Sequence, residues 1–461
     1  MIIATPTHLT RRGILPIATT SVLALVLFSS WNRPLLYDEF VYFVAGSLSP
    51  LEILSVIHET TTNVNQGVTG AYLLFDWVLM QAFGAEDWAL RLPSLVFGFL
   101  FILYSLVFLR HKGIGTFGLT LFPVFLLTQE LVMHYVGEAR TYMPLAAAVV
   151  GLLTYYSANE TWRCSPAGRV TGWSAAIIGV LFHPYIALYW PAILLFGYWT
   201  QHRGRLSGQQ AIRTIVRWSN PAMVISGVLV YVSIALATWA RGRATAFVDP
   251  FNFLPGPLPV EILIQNFYAF VPMFAAVTTG LALVVSAAAV FLPDDAALRR
   301  ETFRLITEPL VLFVMAFALA FIVALTSITA DFWIFPRQWI ASTALAALAT
   351  FWGGFLLFRR ARVRSSSRGR ITASVLTAAV VIAAGGVATQ QVAVLREWTM
   401  RLPMDQPDRS SLAESLERVG TLSDGEWIEY SQVNLDQGGP VWPEFRSYYL
   451  DTDWTQFVLQ D

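Results

Sequence analysis

In 461 residues the chain has one cysteine, Cys164, one lysine, Lys112, and little charge of either sign, with Asp, Glu, Lys and Arg making up 13%. A single thiol excludes an intramolecular disulfide, so nothing about the fold depends on the redox compartment. The near-absence of lysine beside many arginines suggests a GC-rich bacterial genome and says nothing of substrate. The shortage of charge, against a hydrophobic fraction of 56% and a mean hydropathy of +0.56, excludes a soluble Rossmann or barrel fold. The long apolar runs lack the period-2 alternation of a membrane barrel, and backbone polar groups in lipid must then be satisfied within helices. No internal repeat is visible, which weakens an inverted-repeat transporter.

What is present is a series of apolar runs close to the roughly 20 residues that span a bilayer core as a helix. They predict an all-α polytopic membrane protein with about eleven transmembrane helices, near 14–30, 92–109, 114–128, 141–158, 172–183, 184–200, 220–239, 265–292, 308–327, 337–358 and 371–389. The first run has no small-x-small cleavage site after it and reads as a retained helix. With the N-terminus cytoplasmic, 19 of the 30 basic residues fall in short cytoplasmic segments, from Arg11 and Arg12 to the cluster Arg359–Arg370. This is the bias the positive-inside rule requires, and the last cluster reads as a loop touching anionic lipid. The 16-residue stretch Val68–Phe83 contains Asp76 and Gln81, and reading it as a span would put every later basic cluster outside. It is expected to lie in the interface.

The outer, periplasmic face then carries a first loop at 31–91, a Pro-rich loop at 240–264 and an acidic tail from 390. The tail has 13 acidic residues against five arginines. It pairs a capped helix near Ser410, Ser411 and Glu414 with strand-like runs such as Trp427–Ser431, a small α/β cap segment over 390–461 beside a membrane domain at 1–389. Two adjacent carboxylates, Asp38 and Glu39, stand just beyond the first helix, where they are costly unless solvated, paired or used. The same face holds Arg140, His183, Arg241, Arg243 and Arg337, and the helix interiors are almost free of ionisable residues. A transporter or lipid flippase, the alternative from another class, predicts polar groups and broken helices at mid-membrane instead.

Five motifs in order now identify a relative: the Asp38-Glu39 pair, Trp88-Ala-Leu-Arg-Leu-Pro-Ser-Leu95, Gly137-Glu-Ala-Arg-Thr-Tyr142, His183-Pro-Tyr185 and Pro336-Arg337. Over about residues 10–390 the chain resembles the membrane glycosyltransferases of GT-C fold. It is most similar in pattern to protein O-mannosyltransferases and to the aminoarabinose and galacturonic acid transferases of bacterial lipid A. The resemblance implies a multi-pass enzyme of the bacterial inner membrane. It would transfer a sugar, with inversion, from a polyprenyl-phosphate donor to a glycan, lipid or protein acceptor on the outer face. No nucleic-acid partner is expected.

That reaction needs positive charge beside a phosphate leaving group and a carboxylate to take the proton of the attacking hydroxyl. Carried over from the resembling enzymes, Asp38 is the base and Glu39 its support, holding an arginine or a metal. Asp38 also suits the N-cap of a helix starting at Glu39, and the two roles are compatible. Arg337, at the start of the tenth helix, can fork onto two phosphate oxygens, or merely reach lipid headgroups. Arg241 and Arg243 share both readings. Glu138 and Arg140, two apart, share a face if extended and diverge if helical. In the resembling enzymes this segment lines the active-site cavity, so Arg140 can touch the donor or pair with Asp38 or Glu39, with Tyr142 close by. A plain structural ion pair explains them too. His183 reads either as hydrogen-bonded structure or, with Glu39, as a ligand of a divalent metal.

Tyr37, Tyr42, Tyr72 and Trp77 offer stacking surfaces for sugar rings, or an interfacial aromatic belt. The chain departs from its relatives at Asn65-Gln-Gly-Val-Thr-Gly70, where they commonly carry a His-Pro-Pro segment. His58 lies upstream at the wrong spacing, which leaves metal dependence open.

Overall fold

The structure, a computed structural model, describes residues 13–14, 16–21, 49–51, 53, 71–84, 87–126, 129, 132, 135–183, 185–202, 208–229, 296–330 and 336–363. Every regular element among them is helical. In chain order these are α1 (Ala71–Phe83), α2 (Asp87–His111), α3 (Thr116–Leu126), α4 (Tyr142–Ser157), the single turn α5 (Glu160–Arg163), α6 (Pro166–Phe182) and α7 (Ile186–His202). There follow α8 (Gly208–Trp218), α9 (221–229), α10 (Ala296–Ala330), a 3-10 turn at Pro336–Trp339 and α11 (Ile340–Val363). The expected spans at 265–292 and 371–389 and the tail from 390 lie outside the described residues. By length and composition two described helices can cross a membrane, Trp88–His111 and Ile306–Leu325.

Local chemistry sets the helix ends. Ser165 caps α6, its hydroxyl accepting from the Gly168 N–H at 3.1 Å, and Pro166 takes the first helical position, where no N–H is needed. Asn159 caps α5 in the same way through the Trp162 N–H at 2.9 Å. Arg110 complements the carboxyl end of α2, and Gly113 closes it with a φ of 81°.

All sixteen residues of α4 are buried, and α2, α6, α7 and α11 pack around it. Close approach depends on small residues. A Cβ at Gly151 would meet the Ala175 methyl at 2.6 Å and the Tyr104 ring at 2.9 Å, so α2, α4 and α6 meet there only because the side chain is missing. Thr154 donates to the Tyr104 carbonyl at 3.0 Å, and Tyr104 shares a 2.7 Å hydrogen bond with Ser174, binding the three helices through polar groups that apolar surroundings strengthen.

The helices alternate in direction, and this gives the bundle two chemically different ends. At one end, the starts of α2, α4, α7 and α11 meet the ends of α6 and α10. At the other, His111 packs its ring on Trp162 at 4.6 Å, and Gln201 donates to the Ser157 carbonyl at 2.9 Å. Lys112 reaches Glu308 at 3.0 Å and lies 4.9 Å over the Trp352 ring. The only lysine thus joins α2, α10 and α11, and the arginines at 110, 163 and 169 share its end.

α1 is 13 residues and about 20 Å long, shorter than a bilayer core of about 30 Å. Asp76 does not face water, however. It is fully buried, with neither carboxylate oxygen hydrogen-bonded, and burial pushes its carboxyl well above the usual carboxylate range. Such a group costs stability, so Asp76→Leu is expected to raise the thermal unfolding midpoint of the purified chain, while Asp76→Lys lowers it.

Candidate functional site

Three of the five motifs meet at the end of the bundle opposite Lys112. The junction starts at Ser94 on α2. Its hydroxyl donates to the Arg140 carbonyl at 3.2 Å and shares a 2.8 Å hydrogen bond with the Tyr72 hydroxyl of α1. Tyr189 of α7 and Ser342 of α11 are joined at 2.8 Å. Trp339, buried in the 3-10 turn, donates to the Ala320 carbonyl at 3.1 Å and so fastens the turn containing Arg337 onto α10.

Gly137–Thr141 is neither extended nor helical but a tight bend, with the Arg140 N–H donating to the Glu138 carbonyl at 2.8 Å. The bend turns the two side chains toward each other, Arg140 Nε lying 4.0 Å from Glu138 Oε1. Both residues are 2% exposed. At that burial a charge is costly without a partner, and each side chain offers the other one of opposite sign.

An aromatic row continues from this pair. The Arg140 guanidinium lies 5.6 Å over the Tyr142 ring, an attraction between cation and ring quadrupole. Tyr142 meets Tyr135 at 5.2 Å and His183 at 5.6 Å, and His183 meets Tyr185 at 4.9 Å. His183 ends α6, where the chain turns into α7. Its Nδ1 accepts from the Tyr185 N–H at 3.2 Å, so in the neutral ring the proton sits on Nε2.

Burial, and then the Arg140 charge, lower the His183 pKa to about 3. The unfolded chain therefore binds a proton that the folded chain refuses between the usual 6.5 and about 3. Stability from this group is complete above pH 6.5 and is lost as pH falls through that window. A His183→Gln variant is expected to show a flatter loss of unfolding midpoint between pH 7 and pH 4 than the parent chain.

Among the described residues no three His, Cys, Asp or Glu side chains stand together as a metal site. With Arg140 beside it, His183 sits in a field that favours an anion over a second cation. Glu39, the other metal candidate, lies outside the described residues, as do Asp38, Arg241 and Arg243.

One expectation changes. Tyr72 is not an open surface for a sugar ring, since it is fully buried, edge-on to Phe182 at 6.3 Å and bonded through its hydroxyl. Ser94 was not singled out in the sequence, although a serine in so apolar a helix must find a partner and thereby signals a contact.

No family model matches the chain, and no curated protein matches it in sequence. Two solved structures of ArnT from Cupriavidus metallidurans are similar to it at 16% identity. The crystal structure bound to undecaprenyl phosphate superposes with a TM-score of 0.47, covering 83% of this chain and 72% of that one. The apo form gives 0.46, with 96% and 69%.

Proposed function

We propose that the chain is a membrane glycosyltransferase acting at the end of the bundle that holds Arg140 and His183. In this reading it takes a sugar from a polyprenyl phosphate and passes it to a hydroxyl acceptor. The observation that carries the reading is the meeting of the Trp88–Leu95, Gly137–Tyr142 and His183–Tyr185 segments at one end, with basic residues gathered at the other. Segments far apart in sequence converge there, bringing Glu138, Arg140, Tyr142 and His183 together.

In the proposed reaction Asp38 accepts the proton of the acceptor hydroxyl as its oxygen attacks the anomeric carbon. The bond from that carbon to the phosphate oxygen breaks on the opposite face, which inverts the centre, and polyprenyl phosphate leaves as an anion. Arg337, Arg241, Arg243 and Arg140 supply the positive charge that the leaving group needs. Glu138, Tyr142 and His183 hold Arg140 in place, and Glu39 supports Asp38. The site faces the periplasm, with the N-terminus in the cytoplasm and the tail outside, as the arginine bias supports.

The test is direct transfer. Full-length protein in lipid nanodiscs would be given labelled polyprenyl-phosphate hexose, pentose and uronic acid with envelope glycan, lipid and protein acceptors. Label is expected to pass from one of these donors to an acceptor. Movement of intact donor across a vesicle membrane without transfer would favour a transporter instead.

A further inference from the structure

α8 is used by none of this chemistry, and its surface is unusual. Its sequence, Gly208-Gln-Gln-Ala-Ile-Arg-Thr-Ile-Val-Arg-Trp218, contains two arginines and no acid. Arg213 and Arg217 are exposed and one turn apart, forming a basic stripe. Ile212 and Val216, also one turn apart, form an apolar stripe beside it and are 65% and 56% exposed. Eleven residues extend about 16 Å, too short to cross a bilayer, yet no described helix covers the apolar stripe.

The position of α8 is fixed from its far end. Ser219 and Asn220 break the helix, Asn220 taking a φ of 55°. The Tyr156 hydroxyl donates to the Ser219 carbonyl at 2.9 Å, and Asn220 Nδ2 donates to the Tyr155 hydroxyl at 3.4 Å, so the break is bonded to the end of α4. That is the end of the bundle with Lys112 and Arg163. Beyond the break α9 leans on Trp190 through Gly227 and turns Ile225, Val228 and Leu229 outward, a surface suited to lipid tails. The apolar stripe of α8 is therefore continuous in chain and in chemistry with a lipid-facing helix.

We infer that α8 lies on the bilayer surface at the basic end of the bundle, with Ile212 and Val216 among the upper acyl carbons and Arg213 and Arg217 on the phosphates of anionic phospholipids. A positive stripe beside an apolar one is the arrangement of an interfacial helix on a negatively charged leaflet. The inference rests on the membrane reading of the chain and is independent of sugar transfer.

Spin labels at Ile212→Cys or Val216→Cys, in full-length protein carrying Cys164→Ser, would be measured in nanodiscs of phosphatidylcholine with and without phosphatidylglycerol. Labels at both positions are expected to be reached by oxygen rather than by a water-soluble nickel chelate. Native mass spectrometry should find phosphatidylglycerol retained over phosphatidylcholine, a preference falling about tenfold in Arg213→Gln/Arg217→Gln and surviving in Arg213→Lys/Arg217→Lys. Full access of the chelate to position 212 in both lipids would overturn the inference. So would label–label coupling between two copies of the chain, which would make this face a dimer contact. A double Gln variant with unchanged lipid preference would overturn the role of the arginines.

Discussion

Asp38→Asn is expected to lower sugar transfer by about 10²–10⁴-fold, the usual contribution of a positioned general base. An amide is nearly the same size as the carboxylate and keeps a carbonyl oxygen, but it cannot take the acceptor's proton. The substitution also separates the two roles that the sequence allows for Asp38. Asparagine caps a helix about as well as aspartate does, so a residue serving only as N-cap would leave both unfolding midpoint and transfer rate unchanged. A folded, donor-binding, inactive Asp38→Asn is the result that assigns the base. Full activity would remove Asp38 from the reaction. Glu39→Gln should cost less, because its partner retains the proton-accepting carboxylate.

The second large effect is expected at Arg140, and here stability and activity must be read together. Arg140→Ala leaves Glu138 buried with its ion-pair partner gone, a loss of about 3–5 kcal/mol, so a low activity in that variant alone would prove little. Glu138→Gln/Arg140→Gln removes both charges at once and is expected to regain most of the unfolding midpoint. If Arg140 does no more than tie the bend to its surroundings, transfer returns with it. If the guanidinium binds the donor phosphate, the double variant stays folded, its KM for the donor rises, and kcat/KM remains lower by about 10²-fold. Arg140→Lys keeps the charge but loses the planar fork, and should fall between them.

Hydropathy located the apolar middles of α2, α3, α4, α6, α7, α10 and α11 better than their ends, and it passed over α8 and the single turn α5. α6 starts at Pro166 rather than near 172, because the Ser165 cap and Pro166 begin a helix that apolar content does not reveal. α10 runs from Ala296, well before the apolar stretch at 308, since its early charged residues are good helix formers that hydropathy passes over. Asp76 read from sequence as a sign of water contact. Its burial depends on how α1 lies against α2, which no local pattern encodes. The closeness of Glu138 and Arg140 was open for the same kind of reason. Spacing by two allows opposite outcomes, and the bend at Gly137–Thr141 decides between them. Arg140 and His183 were legible as polar residues at apolar helix ends; that Tyr142 stacks between them was not.

Lys112 carries a practical consequence. As the chain's only side-chain amine, it takes a reductive methyl label at one internal position, and that position sits among α2, α10 and α11. Cys164, exposed at the corner between α5 and α6, is likewise the only thiol. The native sequence thus holds two orthogonal attachment points near one end of the bundle, with nothing to mutate beforehand. A methyl resonance at the first and a fluorophore at the second would report whether occupancy of the distant aromatic row is felt through the length of the helices.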